Sequence, residues 1–125
     1  VGLILFLTEK SIMKTDIARK FSLGEFKGCY PYLTESTVWD IVGEKELNGR
    51  NDIIKHCESV RNYFDSVTTD FTLLKIFEDH QHVTVTGIAR FIRDNQVVAV
   101  ISSCDVYTFL PDFTLKSIHS YCIKH

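Results

Sequence analysis

The chain has 125 residues and is 45% apolar, which suits one domain with a core of its own and is short for two. Sixteen acids against fourteen bases, spread along the whole length, give a formal charge of −2, so no basic field is available to hold a phosphate backbone and nucleic acid is not an expected partner. The four cysteines (Cys29, Cys57, Cys104, Cys122) are far apart with no C-x-x-C pair, and are expected as reduced thiols in a cytoplasmic protein.

We read residues 1–125 as a single domain, with residues 1–7 set apart as an extension. VGLILFL is apolar for seven residues, where a membrane span needs roughly 18 or more, and no membrane association is expected. The segment fits the remnant of a signal segment, residues before the true start, or a piece that packs on a neighbouring chain. After it, Thr8 serves as a helix cap with Glu9 in the first turn, and Ile12, Ile17 and Phe21 follow at near-helical spacing until Gly24 stops the helix. Residues 25–33 suggest a second short helix with Phe26, Tyr30 and Leu33 on one side, weakened by Gly28 and Pro31.

Residues 38–42 form the first strand expected. Period-two alternation sets Val38, Asp40 and Val42 on one face, and Trp39, the only Trp, with Ile41 on the other. A carboxylate between two valines either faces a polar pocket or the solvent, or is buried with a partner, because an unpaired buried charge is costly. A turn and a helix start follow. The helix after Gly49 is the clearest in the chain, with Ile53, Cys57, Val60 and Phe64 on one face and His56 on the exposed side. Beyond Ser66 the period changes to that of strands, expected over residues 70–78, 82–93, 96–109 and 115–123. Their connections EDHQH, RDNQ and LPDF are short and polar, which implies an antiparallel meander. Val97, Ala99 and Ile101 on one side and Val98 and Val100 on the other make a sheet that is apolar on both faces. Helices cover one face, and a homodimer through the other is expected.

The run of helices, an acid-bearing strand and then a long bent sheet resembles the nuclear transport factor 2-like superfamily, which includes ketosteroid isomerase and the SnoaL-like proteins. The carriers are FSLGEFKG, LTESTVWDIVGEKELNGRNDI, VTVTGIARF and CDVYTF leading into KSIHSY. The resemblance implies an α+β fold, a cone-shaped roll of strongly bent antiparallel sheet packed on three N-terminal helices, with a pocket at the wide end. It also implies that Asp40 matches the isomerase's general base and Asp105 its second, protonated acid, while Ile17 stands where the oxyanion-hole tyrosine would be. Two acids facing one cavity push their pKa values apart and serve as base and acid. Tyr30, Trp39 and Tyr107 are expected near the mouth with Ile17, each aromatic able to bury a ring and present a polar tip.

Three function classes follow. The favoured one is a binding protein for a small apolar or polycyclic molecule held in an interior pocket with acidic groups. The second is an isomerase, dehydratase or cyclase-like enzyme using Asp40 with Asp105, and the third a dimeric interaction module with a vestigial pocket. No cofactor is expected: the glycines do not cluster as a phosphate-binding loop. No metal is expected either, since His80 and His82 are read as turn residues and lack a third ligand.

Overall fold

The computed structural model describes residues 2–125, with residues 2–8, 10 and 11 described by their backbone alone. The side chains of the 1–7 segment, and with them what it packs on, lie outside what is described. Helix α1 (Gly2–Ser22) buries Ile17, Ala18 and Phe21. It ends where expected, at Gly24, whose φ of +84° is open to glycine at little cost. A Cβ there would also stand 2.9 Å from the Phe64 ring.

The second helix expected is a single stretch of 3₁₀ turns, Lys27–Tyr32, with Pro31 inside it. Pro lacks the N–H that an α-helix would use there, so the tighter turn takes its place. The described residues thus carry two α-helices and one 3₁₀ segment in place of three α-helices. Helix α2 (Arg50–Ser66) buries Ile53 and Cys57 and keeps Val60 and Phe64 partly buried against the same core.

The strands are β1 (Val38–Ile41), β2 (Lys45–Asn48), β3 (Thr68–Glu78), β4 (His82–Arg93), β5 (Gln96–Phe109) and β6 (Leu115–Lys124). They form one six-stranded sheet in the order β2-β1-β6-β5-β4-β3. The last four strands pair as the antiparallel meander read from the sequence. Their turns have local chemistry to match. Asp94 and Asn95 both take positive φ, 52° and 62°, as a two-residue hairpin requires. Asp79 accepts from the backbone N–H groups of Gln81 and His82 at 2.9 and 2.8 Å.

Two features differ from expectation. The turn after Ile41 leads into β2, a strand that was not expected, before the helix that starts after Gly49 as read from the sequence. The sheet is also mixed, because β1 pairs antiparallel with β2 but parallel with β6, Trp39 lying beside Ile118. A parallel neighbour comes from a distant part of the chain, so no local turn announces it. Register shifts at Leu73/Lys75, Phe91/Ile92 and Thr108/Phe109 interrupt the ladders of the meander. Such bulges bend strands and increase their twist, which lets this open sheet curve around the helices. The α+β class stands.

The core lies between the concave side of the sheet and the helices. Tyr107, Ile53, Leu115, Ile118 and Val83 are fully buried there.

Candidate functional site

Alternation along β5 and β6 decides which side chains reach the interior. On β5, Ala99, Ile101, Ser103 and Asp105 line a cavity, and on β6 Ser120, Cys122 and Lys124 do so. Their sequence neighbours, Cys104 and Tyr121 among them, point the other way. Helix α1 adds Phe21 and Ser22, β1 adds Trp39 and Ile41, and α2 adds His56, Val60, Tyr63 and Phe64. The cavity holds about 410 Å³ and is open on one side. That volume lies within the range of about 300–1,000 Å³ typical of small-molecule sites.

Its walls are aromatic for a structural reason. Phe64 and Phe91 stack with centroids 5.4 Å apart, and Phe21 meets Trp39 edge-on at 5.0 Å. Bulky rings on the helices and outer strands face small residues, Ala89, Ala99 and Ser103, at the middle of the sheet. Rings braced against one another do not collapse into the gap that short side chains leave.

Asp105 is the one buried carboxyl among the described residues, 9% exposed. Ser22 donates to its Oδ2 at 2.8 Å and shares a 2.6 Å hydrogen bond with the Tyr107 hydroxyl. Ser120 stands directly across the ladder on β6 from Asp105. Trp39 Nε1 donates in turn to Ser120 Oγ at 2.9 Å. Burial pushes the Asp105 pKa up, against the neighbouring hydroxyls of Ser120 and Ser22, which favour its charged form. A carboxylic acid held in an apolar site can keep its proton and act as a donor or general acid.

His56 faces the same cavity, its ring 5.2 Å from that of Trp39 in an edge contact. Burial holds its pKa down, with a smaller contribution from Lys45, which favours a neutral imidazole able to accept a proton. The sequence reading had put this side chain on the exposed side of α2. It lies instead on the flank of the buried face, one position before Cys57, where the cavity leaves room for it. Ser22, Ser120 and His56 were all missed as site residues. The alternation of β6 holds a signal for Ser120, since it falls between Ile118 and Cys122 on one face.

The residues singled out from the sequence separate into two groups. Asp105 and Trp39 both line the cavity, and Tyr107 lies directly beneath it, completely buried and tied to Ser22. Asp40 does not join them. It is not in the lining, and its side chain, 37% exposed, stands on the face of β1 opposite Trp39, with His119 Nε2 4.0 Å from its Oδ2. The valine and tryptophan faces were read correctly, but the tryptophan face is the one turned inward, because Trp39 and Ile41 bury far more apolar surface than Val38 and Val42 would.

Ile17 is core, 5% exposed, and accepts a hydrogen bond from Cys29 Sγ through its carbonyl at 3.3 Å. Tyr30 lies outside the cavity, in a surface groove between the 3₁₀ segment and α2, and its hydroxyl donates to Glu58 at 3.0 Å. His80 is exposed and His82 half-buried at the β3–β4 turn, where His82 Nδ1 lies 2.9 Å from Asp79. Among the described residues no three His, Cys, Asp or Glu side chains cluster to hold a metal, and no helix is long and apolar enough to cross a membrane.

No family model matches the chain, and no curated protein does. Solved structures do. An NTF2-like protein of unknown function from Cytophaga hutchinsonii is 28% identical, with a TM-score of 0.77 over 86% of this chain and 94% of that one. The epoxide hydrolase/cyclase-like enzyme SalBIII, of pyran ring formation in the polyether salinomycin, is 16% identical, with a TM-score of 0.69 over 93% and 92% of the two chains. A putative SnoaL-like polyketide cyclase from Jannaschia sp. CCS1 is 10% identical, with a TM-score of 0.65 over 87% and 84%. The likeness to the last two is one of fold.

Proposed function

We propose, from the premise that this chain belongs to the nuclear transport factor 2-like superfamily, that its cavity binds a small, largely apolar molecule bearing an oxygen function. The observation that carries the reading is a single buried carboxyl, Asp105, at the floor of an aromatic cavity. The walls supply apolar contact without direction, and Asp105 supplies the direction by donating a hydrogen bond to the ligand oxygen.

Trp39 is the only Trp and lines the cavity, so its emission reports occupancy. Titration with 2-acetylnaphthalene as a probe should give a saturable change, and Asp105→Ala should weaken binding by about tenfold, the equivalent of one hydrogen bond of ~1.4 kcal/mol. Native mass spectrometry of the freshly purified protein should show a co-purified small molecule. No saturable response together with no bound molecule would leave a cavity without a binding role.

A second reading, acid–base catalysis of the isomerase, dehydratase or cyclase type, is favoured by His56. A neutral imidazole and a protonated carboxyl on different walls of one cavity can take a proton from a ligand and return one to it. Two solved structures of this fold are described as cyclases or cyclase-like. In this reading Asp105 is the acid and His56, in place of Asp40, the base. Turnover lost in both His56→Gln and Asp105→Asn, with probe affinity kept in the first, would support it.

Self-association belongs to the proposal as well. Tyr121 and Ile123, on the outer face of β6, are 47% and 66% exposed, and a homodimer would cover them. Sedimentation as a monomer at micromolar concentration would overturn it. The four free thiols accord with a reducing compartment such as the cytoplasm.

A further inference from the structure

The inward face of β6 carries Ser120, Cys122 and Lys124 in alternation, so the cavity wall that begins beside Asp105 ends on a lysine. Ser120 stands opposite Asp105, and Lys124 stands opposite Ile101, four positions further along each strand. At ~3.4 Å per residue the two rows are roughly 13 Å apart. The ladder fixes the place of Lys124. Beyond it the backbone N–H of His125 donates to the Val100 carbonyl at 2.9 Å, and the His125 ring turns to the outer face, with Nε2 2.6 Å from Ser102 Oγ.

Charge is divided between the two ends of the cavity. Asp105 stands buried at the floor, while Glu44 and Lys124, both exposed, stand at the open side. Glu44 lies on the turn between β1 and β2 with Lys45 as its chain neighbour, and both of these charges act on His56. It therefore has a cation beside it. Lys124 has no such counterpart: among the described residues its ammonium makes no ion pair. Its stem shares the inward face with Cys122 and Ile101, which carries the ammonium to the rim, in water yet within reach of a bound molecule.

We propose that Lys124 selects a ligand with a carboxylate at its outer end, so that the cavity takes an elongated aryl or alkyl carboxylate whose oxygen function reaches Asp105 while its carboxylate meets Lys124. The aromatic walls between the two rows fit the apolar body of such a molecule. A single ammonium suits a single negative charge. A phosphate carries more charge, lacks a second cation in the lining and would be repelled by Glu44. This inference deepens the reading of the cavity as a binding site for a small apolar molecule and rests on it.

The experiment compares three probes by calorimetry: 6-acetyl-2-naphthoate, its neutral carboxamide, and the corresponding aminomethyl compound, which is a cation. The readout is the ratio of affinities within each variant. In the wild type the carboxylate should bind about three- to fivefold more tightly than the carboxamide, the scale of a partly exposed ion pair, and the preference should shrink as salt is raised. Lys124→Gln should abolish the preference and Lys124→Glu should reverse it. Lys124 is exposed near the end of a strand, so neither variant endangers the fold. Glu44→Gln should widen the preference, because it removes a like charge from the same rim. Equal affinity for carboxylate and carboxamide in the wild type would overturn the proposal, as would a preference that survives Lys124→Gln. Tighter binding of the aminomethyl compound than of the carboxylate would also overturn it, and would assign the rim to Glu44. In each of these outcomes the carboxamide still binds and the cavity keeps its binding role, whereas no saturable binding of any probe would overturn both readings together.

Discussion

Replacing Trp39 by Phe removes the N–H donated to Ser120 and part of a ring, and its cost follows from the surroundings. Trp39 is 7% exposed and packs edge-on against Phe21 and His56 at 5.0 and 5.2 Å. The lost hydrogen bond costs about 1 kcal/mol, within the range for a net intramolecular bond. The lost ring atoms contribute about 1 kcal/mol more, at ~0.8 kcal/mol per buried carbon and with part of the ring facing an open cavity rather than the core. The variant should therefore be less stable by about 2 kcal/mol, equivalent to a fall of roughly 8 °C in melting temperature for a domain of this size. Urea unfolding followed by circular dichroism measures it, since the variant has no Trp to report. A loss below about 0.5 kcal/mol, the scale of ordinary surface replacements, would mean that Trp39 is not wedged in the wall as described.

Asp40→Asn should be nearly silent, within about 0.5 kcal/mol in urea unfolding and without effect on the fluorescence response to 2-acetylnaphthalene, because Asp40 faces away from the cavity and its exposed contact with His119 is worth little. Asp105→Asn should change the pH dependence of stability in a defined direction. Burial raises the folded-state pKa of Asp105 above its ordinary 3.8, so the native state holds this proton more tightly, and its contribution to stability falls as pH rises from about 3.8 through the folded value. The stability of Asp105→Asn relative to wild type should thus rise between pH 3 and pH 7 in paired urea titrations, and a flat difference would contradict the burial of this carboxyl. Asp79 works in the opposite sense: backbone N–H groups at the β3–β4 turn hold its pKa down to about 2, so Asp79→Ala should lessen the loss of stability on acidification below the ordinary carboxylate range. All four cysteines should react with an aromatic disulfide after denaturation, while in the native protein Cys29 and Cys57, buried and pushed up to about 12, stay silent and exposed Cys122 reacts first. Fewer than four reactive thiols in the denatured chain would indicate a disulfide.

Much of the fold follows from local rules, and those parts were legible. The long strands β4 and β5 begin and end where the sequence placed them, because side chains alternate with the strand period and Asp94-Asn95 must turn. Helix α2 is set by the spacing of Ile53, Cys57, Val60 and Phe64 and by Gly49 before it, whose φ is +87°. Asp105 was named through the resemblance, which matched it to the isomerase's second acid, whereas the local rule of an acid inside an apolar strand pointed to Asp40. The 3₁₀ segment was misread as a helix because spacing alone does not separate one helical form from another, and Pro31 decides between them.

Other features depend on pairings between distant segments. Alternation showed that Asp40 and Trp39 point to opposite sides of β1, but not which side is the interior. That was settled when β1 took its place beside β6, across the ladder from Ile118 and Ser120, and the larger apolar side chains turned toward the helices. The parallel pairing of β1 with β6 joins positions about eighty residues apart and leaves no mark at either. Ser22, at the end of α1, and Tyr107, on β5, share a hydrogen bond across 85 positions. By itself the sequence determined the long strands, the α-helices and the faces of the strands, since each depends on a few neighbouring residues. The tertiary structure decided which face encloses a cavity, which acid stands in it and which hydroxyls it meets, since a buried group's partners come from wherever the chain returns.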